Sequence, residues 1–207
     1  MPKGWKNTAL GEYISHIGSG KSFRCEERPP KDYQVGIVKV SSVTWGFFDE
    51  EESKTCFSND LLNEDYLIKQ GDFLFSRANT IELIGACVIV KSISKRLMLS
   101  DKILRFTFSD ELSKDYALHY LRSRKGRKEI ESLSTGNQDS MRNIGQEKIR
   151  QITIPIPPLE EQQQIVQEIE SRLSVCDKIE ETITNSLKQA EALRQSILKK
   201  AFEGKLI

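Results

Sequence analysis

Length, composition and charge limit what this chain can be. With 207 residues, of which 38% are hydrophobic, it can form one well-packed domain with an extended element beside it. Its formal net charge of +1 excludes a nucleic-acid binder that works through a strong overall positive field, so any DNA contact must come from local patches.

Cysteine and histidine usage makes a metal site unexpected. The four cysteines lie far apart in the sequence, without a C-x-x-C pair, and the chain has only two histidines. No segment approaches the roughly 18 apolar residues of a membrane span, and the N-terminus does not resemble a signal peptide. We therefore expect a soluble protein of a reducing cytoplasm, without contact to a membrane.

Short apolar runs predict strands in the first half of the chain. They are Val35–Val40, Phe73–Phe75, Ala86–Val90 and Ile103–Phe108. In the last run, every second residue from Leu104 on is expected to face the core. The pattern predicts a mixed, mainly β globular domain of the α+β class.

A short helix is predicted next, because Tyr116, Ala117, Tyr120 and Leu121 have helical spacing. A basic cluster follows at the expected C-terminal end of this helix, with Arg122, Arg124, Lys125, Arg127 and Lys128. Two interpretations stay open. The cations complement the helix dipole, or they contact DNA phosphates.

The character of the chain changes after Arg150. The segment Ile152–Pro158 contains three prolines and is predicted to be extended, and Pro158 followed by Glu160 and Glu161 predicts a helix start. Apolar residues then recur every 3.6 residues on average, without Pro or Gly before Gly204, which predicts one helix of roughly 60 Å. The stripe consists of Ile165, Ile169, Leu173, Cys176, Ile179, Ile183, Leu187, Ala190, Leu193, Ile197 and Ala201.

Such a helix is longer than one small domain can cover, so most of its apolar stripe is expected to pack against another helix. The alternative is an ordinary amphipathic helix that folds back onto its own domain.

Several segments, in the expected order, resemble the specificity subunits of type I restriction-modification systems. They are Pro2-Lys-Gly-Trp5 with Leu10-Gly11, Gly71-Asp-Phe-Leu-Phe-Ser-Arg77, Ile154-Pro-Ile-Pro-Pro-Leu-Glu-Glu-Gln162, and Leu193-Arg-Gln-Ser-Ile-Leu-Lys-Lys-Ala-Phe-Glu-Gly-Lys-Leu206. The resemblance implies a DNA-binding target-recognition domain over 1–157 and a conserved spacer helix over 158–207. Members of the family typically have two of each, whereas this sequence has one of each and no internal repeat.

The chain therefore resembles half of a specificity subunit, natural or excised. If two copies pair their long helices antiparallel, the homodimer places two recognition domains at opposite ends, and the helices act as a ruler. Such a dimer would read a palindromic site with an unread spacer. An excised half would belong to an asymmetric site.

Loops with basic, amide and hydroxyl side chains are the candidate DNA contacts, because these groups pair with phosphates and base edges. The candidates are Lys21, Ser22, Lys39, Ser41, Ser42, Arg77, Asn79, Asn137, Gln138, Arg142 and Asn143. Trp45 is as compatible with a core position as with DNA contact. The segment Gly18–Ser22 is not a nucleotide-binding Walker A loop, since Ser15 stands where a glycine is needed and no convincing strand precedes it.

No catalytic motif is evident in the chain, neither an Asn/Asp-Pro-Pro-aromatic methylation motif nor a glycine-rich cofactor loop. The resemblance implies that modification subunits bind S-adenosylmethionine and methylate adenine, and that a restriction subunit uses ATP and Mg to translocate and cleave DNA. We expect no cofactor in this chain. The alternatives are a methyltransferase or nuclease fragment with an unseen motif, and an interaction module whose purpose is the long helix.

Overall fold

The computed structural model of the chain describes residues 2, 4–31, 33–44 and 46–206, and only the backbone of Asn137. Its strands are β1 Lys6–Ala9, β2 Ile14–Ser19, β3 Cys25–Glu26, β4 Val35–Val38, β5 Ser53–Cys56, β6 Phe73–Ser76, β7 Ala78–Asn79, β8 Cys87–Ile89, β9 Arg96–Met98, β10 Ile103–Phe108, β11 Thr135–Gln138, β12 Met141–Asn143 and β13 Thr153–Ile156. Its α-helices are α1 Lys114–Arg122, α2 Arg124–Leu133, α3 Gln146–Arg150 and α4 Leu159–Phe202. Short 3-10 turns occupy Leu10–Glu12, Val40–Ser42, Asn59–Leu61 and Glu64–Tyr66.

A four-stranded antiparallel sheet, in the order β2-β10-β6-β8, carries the most apolar strands. The rings of Phe73 and Phe106 stack at a centroid distance of 5.7 Å, and Phe108 meets Phe73 edge-on at 5.1 Å. The predicted strand Ile103–Phe108 is confirmed with the same bounds. Ile103 itself is also fully buried, because it packs in a cluster with Leu74 that the alternation did not foresee.

A second four-stranded sheet has the order β3-β5-β4-β9, with β4 and β9 parallel and the other pairs antiparallel. Val35, Ile37, Cys56 and Met98 form a separate buried cluster on this sheet. The predicted strand over 35–40 is shorter in the structure, since the chain turns into a 3-10 helix at Val40.

Two helices follow, where the sequence predicted one. The hydroxyl of Ser123 accepts a hydrogen bond from the Gly126 amide at 3.2 Å and so caps the start of α2. A Cβ at Gly126 would lie 2.3 Å from the carbonyl oxygen of Tyr120. The glycine therefore permits close packing of α2 on the end of α1, although it reads as a helix breaker in the sequence.

The helix α1 holds the proline-rich strand β13 in place. The hydroxyl groups of Tyr116 and Tyr120 donate hydrogen bonds of 2.7 Å to the carbonyl oxygens of Pro155 and Thr153. The strand β13 also pairs antiparallel with β1, with Lys6 opposite Ile156. These contacts fix the point from which the chain enters α4.

The predicted long helix is confirmed as α4, which at 1.5 Å per residue extends about 66 Å. It ends at Phe202 and is followed by Gly204, whose φ of +70° suits glycine, and the Lys205 amide donates to the Lys200 carbonyl at 2.8 Å. The chain divides into two compact units, one up to Gln163 and one from Gln164 on. Among the described residues, no helix combines the length and the apolarity that crossing a membrane requires.

Candidate nucleic-acid interface

Two of the predicted DNA-reading segments meet in a small three-stranded sheet of order β11-β12-β7. Arg142 in β12 lies opposite Asn79 in β7, and Asn143 lies opposite Ala78. The segments are more than 60 residues apart in sequence. The fold therefore brings together two groups of candidate residues that the sequence could only suggest separately.

A cleft of about 620 Å³ lies beside this sheet and is lined by four candidates, which come from β7 and from two other parts of the chain. Ser22 comes from the loop after β2, Lys39 and Ser41 follow β4, and Asn79 ends β7. The apolar part of the lining is formed by Phe23, Ile37, Val38, Val40 and Leu83.

Two lysines that the sequence reasoning missed also line the cleft, Lys54 and Lys102. Lys54 lies in β5, whose sequence Ser-Lys-Thr-Cys lacks an apolar run and was not predicted as a strand. Lys102 stands directly before the predicted strand Ile103–Phe108, and its place at a strand end was the one signal that could have identified it. With Lys39, three lysines face the cleft.

The carboxylates of the cleft already have partners. Lys54 Nζ lies 2.5 Å from Glu27 Oε1, and this hydrogen bond lowers the pKa of Glu27, with a further contribution from the charge of Lys39. The hydroxyl of Ser22 donates to the carboxylate of Asp101. Glu27 thus stays ionised and paired with Lys54 at neutral pH, and the cleft combines cationic, amide and hydroxyl groups with an apolar lining.

Arg77 lies between the cleft and the small sheet. Its amide donates to the Lys102 carbonyl, and its carbonyl accepts from the Ile144 amide, both at 2.9 Å. Its side-chain Nε is buried and has no hydrogen-bond partner in the described part of the chain. A buried donor without a partner is unfavourable by about 1–3 kcal/mol, so the Arg77 side chain is not fully satisfied within the domain.

A family model for the type I restriction modification DNA specificity domain matches residues 2–189 of this chain. The chain belongs to this family. The predicted resemblance to type I specificity subunits is thereby confirmed.

Relatives and a solved structure agree with this assignment. The type I restriction enzyme EcoEI specificity subunit of Escherichia coli is 30% identical, over 96% of this chain and 34% of its own length. The StySPI specificity subunit of Salmonella potsdam is 31% identical, over 98% of this chain and 43% of its own length.

The fold is shared with a solved chain from work on complex assembly and conformational transition of the type I R-M system. The TM-score is 0.69 at 20% identity, over 100% of this chain and 47% of that one. The predicted α+β layout, mainly β with one long helix, is confirmed. This member of the family spans less than half the length of these relatives.

The loop of the specificity domain around Lys21 differs in one respect from the sequence interpretation. A strand, β2, does lead into it and includes Gly18 and Ser19. The Gly20 amide donates to the Ser100 carbonyl at 3.3 Å, so it is already engaged, whereas Lys21 is exposed. The glycine that a Walker A loop requires is still missing at Ser15.

Two predicted DNA contacts have structural partners within the specificity domain. Ser42 is fully buried, and its hydroxyl donates to the Lys39 carbonyl at 2.7 Å, so it does not reach a DNA surface in this conformation. The guanidinium of Arg142 donates to the carbonyl oxygens of Ser134 and Gly136, both at 3.0 Å, and to the Ser134 hydroxyl. Its donors hold the end of α2 against the β11–β12 hairpin.

The basic cluster after α1 divides in two. Arg122 donates to the Cys87 carbonyl at 2.8 Å and Arg127 to the Ile81 carbonyl at 2.9 Å, so both stabilise the domain. Arg124, Lys125 and Lys128 are exposed and belong to the first half of α2. The dipole explanation therefore fits Arg122 alone, since cations at a helix start oppose the dipole.

The remaining candidates lie at or near the hairpin. Gln138 is exposed at the end of β11, and Asn143 is half-buried in β12. The side chain of Asn137 and the residue Trp45 lie outside the described part of the structure. Within the described ranges, no group of three or more His, Cys, Asp or Glu side chains is placed to hold a metal ion.

Proposed function

We propose that this chain reads the sequence of double-stranded DNA as the specificity part of a type I restriction-modification enzyme. The observation that carries the proposal is the cleft that gathers Ser22, Lys39, Ser41 and Asn79 beside Lys54 and Lys102. Membership of the specificity-domain family supports it from an independent side.

In the proposed mode of DNA recognition, one group of side chains contacts phosphates and another contacts base edges. Lys39, Lys54 and Lys102 are compact charges that attract phosphates and fix the position of the duplex. Asn79 and Arg77 carry the planar donor and acceptor groups that pair with adenine and guanine edges. The amide of Asn79 is partly used already, since its Oδ1 accepts from the Thr80 amide at 2.9 Å. Its amide nitrogen would then serve as the donor.

Selection of DNA from a random-sequence duplex pool tests this function. The full chain is incubated with the pool at a stated salt concentration, alone and together with modification subunits. We expect enrichment of a defined sequence, which Arg77→Ala or Asn137→Ala changes. Absence of any preference in both arms would leave an interaction module built around α4 as the better description.

In this proposal, partner subunits catalyse the reactions on DNA. Modification subunits would bind S-adenosylmethionine and methylate adenine, and a restriction subunit would use ATP and Mg to translocate and cleave DNA. The chain itself would direct them to their site. Methylation or cutting of DNA by the purified chain with magnesium and S-adenosylmethionine, without added subunits, would overturn this assignment.

The helix α4 would bring a second recognition domain alongside. From Leu173 onward the stripe residues are exposed, with Leu187 66% and Leu193 61% accessible to solvent. An apolar stripe of this length is suited to antiparallel pairing with a second copy of the helix or with an equivalent helix of a longer chain. A homodimer would read a palindromic site, and the helix length would set the spacer between its halves.

A further inference from the structure

Two cysteines that are 31 positions apart in the sequence face each other across two strands. Cys25 in β3 lies directly opposite Cys56 in β5, and their sulfur atoms are 3.9 Å apart. Both are free thiols. This pairing could not be predicted from the sequence, because a long separation and the absence of a C-x-x-C motif argue against any joint role.

The backbone geometry of this pair suits a disulfide. Directly opposed residues of an antiparallel pair have Cα atoms about 4.5 or 5.5 Å apart, and both values fall in the range of about 4.4–6.8 Å that disulfides use. The sulfur atoms must approach from 3.9 Å to about 2.05 Å, which side-chain rotation can supply. No strand has to change its register.

We propose that Cys25 and Cys56 form an oxidant-responsive dithiol site that closes to an intrachain disulfide with a peroxide as oxidant. Peroxide transfers one oxygen atom to the Cys25 thiolate, which gives a sulfenic acid and water. The Cys56 sulfur then attacks the Cys25 sulfur, the S–S bond forms, the S–O bond breaks, and a second water leaves. In total, two thiols and one peroxide yield one disulfide and two waters, and a small dithiol restores the reduced pair.

The order of the two steps follows from the surroundings of the thiols. Cys25 is half-buried and lines the cleft, so a small oxidant reaches it, whereas Cys56 is 5% exposed. Burial raises the pKa of Cys56 to about 12, and the neighbouring Cys25 contributes to the rise through its charge and its hydrogen bond. Cys25 is therefore the thiol that peroxide oxidises first, and Cys56, whose sulfur lies 3.9 Å away, is the resolving thiol.

The other two cysteines are poorly placed for this chemistry. Cys87 is completely buried, and burial raises its pKa to about 12. Cys176 is exposed in α4 and belongs to the other compact unit of the chain. Cys87 therefore serves as an internal control for a thiol that stays reduced.

Oxidation of the Cys25–Cys56 pair would also affect the cleft. Cys25 and Lys54 both line it, and β3 is a two-residue edge strand that follows the loop with Lys21 and Ser22. A disulfide with Cys56 would turn the Cys25 side chain away from its present position in the cleft lining, beside Lys54. Weaker DNA binding in the oxidised form follows only if the proposed function is correct, whereas formation of the disulfide does not depend on it.

Peptide mapping of the full wild-type chain tests the disulfide. The chain is treated with hydrogen peroxide, blocked with a thiol reagent and digested with trypsin without reduction. We expect free thiols to fall from four to two, and the peptide that begins at Cys25 to be linked to the one that begins at Thr55. Dithiothreitol should release both peptides. Four remaining thiols, over-oxidised Cys25 beside a free Cys56, or a different linked pair would each overturn the proposal.

Single variants and DNA binding complete the test. Cys25→Ser and Cys56→Ser should each abolish the linked peptide, and the map of the wild-type chain remains decisive if the buried Cys56 variant fails to fold. Oxidised chain should bind selected DNA several-fold more weakly than reduced chain at the same salt, with recovery after dithiothreitol. Equal affinity of a mapped, fully disulfide-linked chain would overturn the coupling to the cleft and leave the disulfide itself established.

Discussion

The indole nitrogen of Trp5 donates a hydrogen bond of 2.9 Å to Oε1 of Glu161, across 156 positions of sequence. It connects two of the segments on which the family resemblance rests, one at the start of the chain and one at the start of α4. Beside it, the fully buried Gln162 binds three main-chain groups, donating to the carbonyls of Glu111 and Pro157 and accepting from the Ser113 amide at 2.9 Å. The helix start is thus built into the globular unit by side-chain hydrogen bonds.

Gln162→Ala should lower the free energy of unfolding of this unit by about 2–4 kcal/mol, because it removes a fully buried side chain, opens a cavity, and takes a hydrogen-bond partner from three main-chain groups. Urea denaturation measures the loss. Gln163→Ala is the matched control, since Gln163 is exposed in the same turn and its truncation should change stability by less than about 0.5 kcal/mol. Equal effects of the two variants would contradict the anchoring role of Gln162.

Lys39→Ala and Lys102→Ala should each weaken DNA binding without a change of sequence preference. If each lysine neutralises one phosphate, the slope of log K against log salt falls by about 0.9, and affinity at 0.15 M salt falls about fivefold. Titrations at several salt concentrations measure both quantities. Lys91→Ala, at an exposed position outside the cleft lining, is the control with the same charge change. An unaltered slope for both cleft variants would remove the cleft from the DNA-binding surface.

Prediction from the sequence was most accurate for strands and helices whose own residues carry the signal for their formation. The run Ile103–Phe108 is apolar because β10 is central to its sheet, and α4 has caps and a period that belong to the helix alone. By contrast, the short polar strand β5 exists through pairing with β3 and β4. Its residues give no local strand signal, and Lys54 was missed with it.

The candidate site shows the same division. Residue type suggested that Arg142 and Ser42 contact DNA, but residue type cannot show that their polar groups are used inside the protein. Arg77 and Arg142 have the same side chain, but the structure distinguishes them. The guanidinium of Arg142 has several hydrogen-bond partners, whereas the Nε of Arg77 has none among the described residues. The predicted DNA contacts themselves remain predictions.

This difference between two arginines is testable. Arg142→Ala should lower the free energy of unfolding by about 2–3 kcal/mol, since carbonyls of Ser134 and Gly136 lose their donors. Arg77→Ala keeps the main-chain hydrogen bonds of that residue and should instead change the selected DNA sequence. Thermal denaturation and DNA selection are measured on both variants. A destabilised Arg77→Ala beside a stable Arg142→Ala would reverse the two roles.

Alkaline pH should weaken the contact between α1 and β13. Burial raises the pKa of both Tyr116 and Tyr120 to about 12, with nearby acids adding to the rise, and both hydroxyls must stay protonated to donate to β13. Because the folded pKa lies above the unfolded value near 10, the stabilisation is complete below about pH 10 and is lost as pH rises toward 12.

Tyr120→Phe isolates this effect. The variant should be less stable by about 1 kcal/mol at pH 7 through loss of one hydrogen bond, and this gap to the wild type should vanish above about pH 10 and reverse as the pH approaches 12. Urea denaturation across this range measures the gap. The buried cysteines titrate equally in both proteins and cancel in the difference. A gap that stays constant up to pH 12 would show that the Tyr120 hydroxyl does not titrate as described.

Ile183→Asp should disrupt association through α4 while the globular unit keeps its stability. Ile183 is 55% exposed in the single chain, so a carboxylate there meets no desolvation until a second helix covers it. Light scattering should show the wild-type chain as a dimer and the variant as a monomer, with unchanged urea denaturation of the unit up to Gln163. Asn185→Asp adds the same charge about 200° around the helix and should leave the dimer intact. If Ile183→Asp changes neither association nor thermal stability, the apolar stripe of α4 is not an interface. The proposed homodimer with two recognition domains, which depends on this interface, is then wrong.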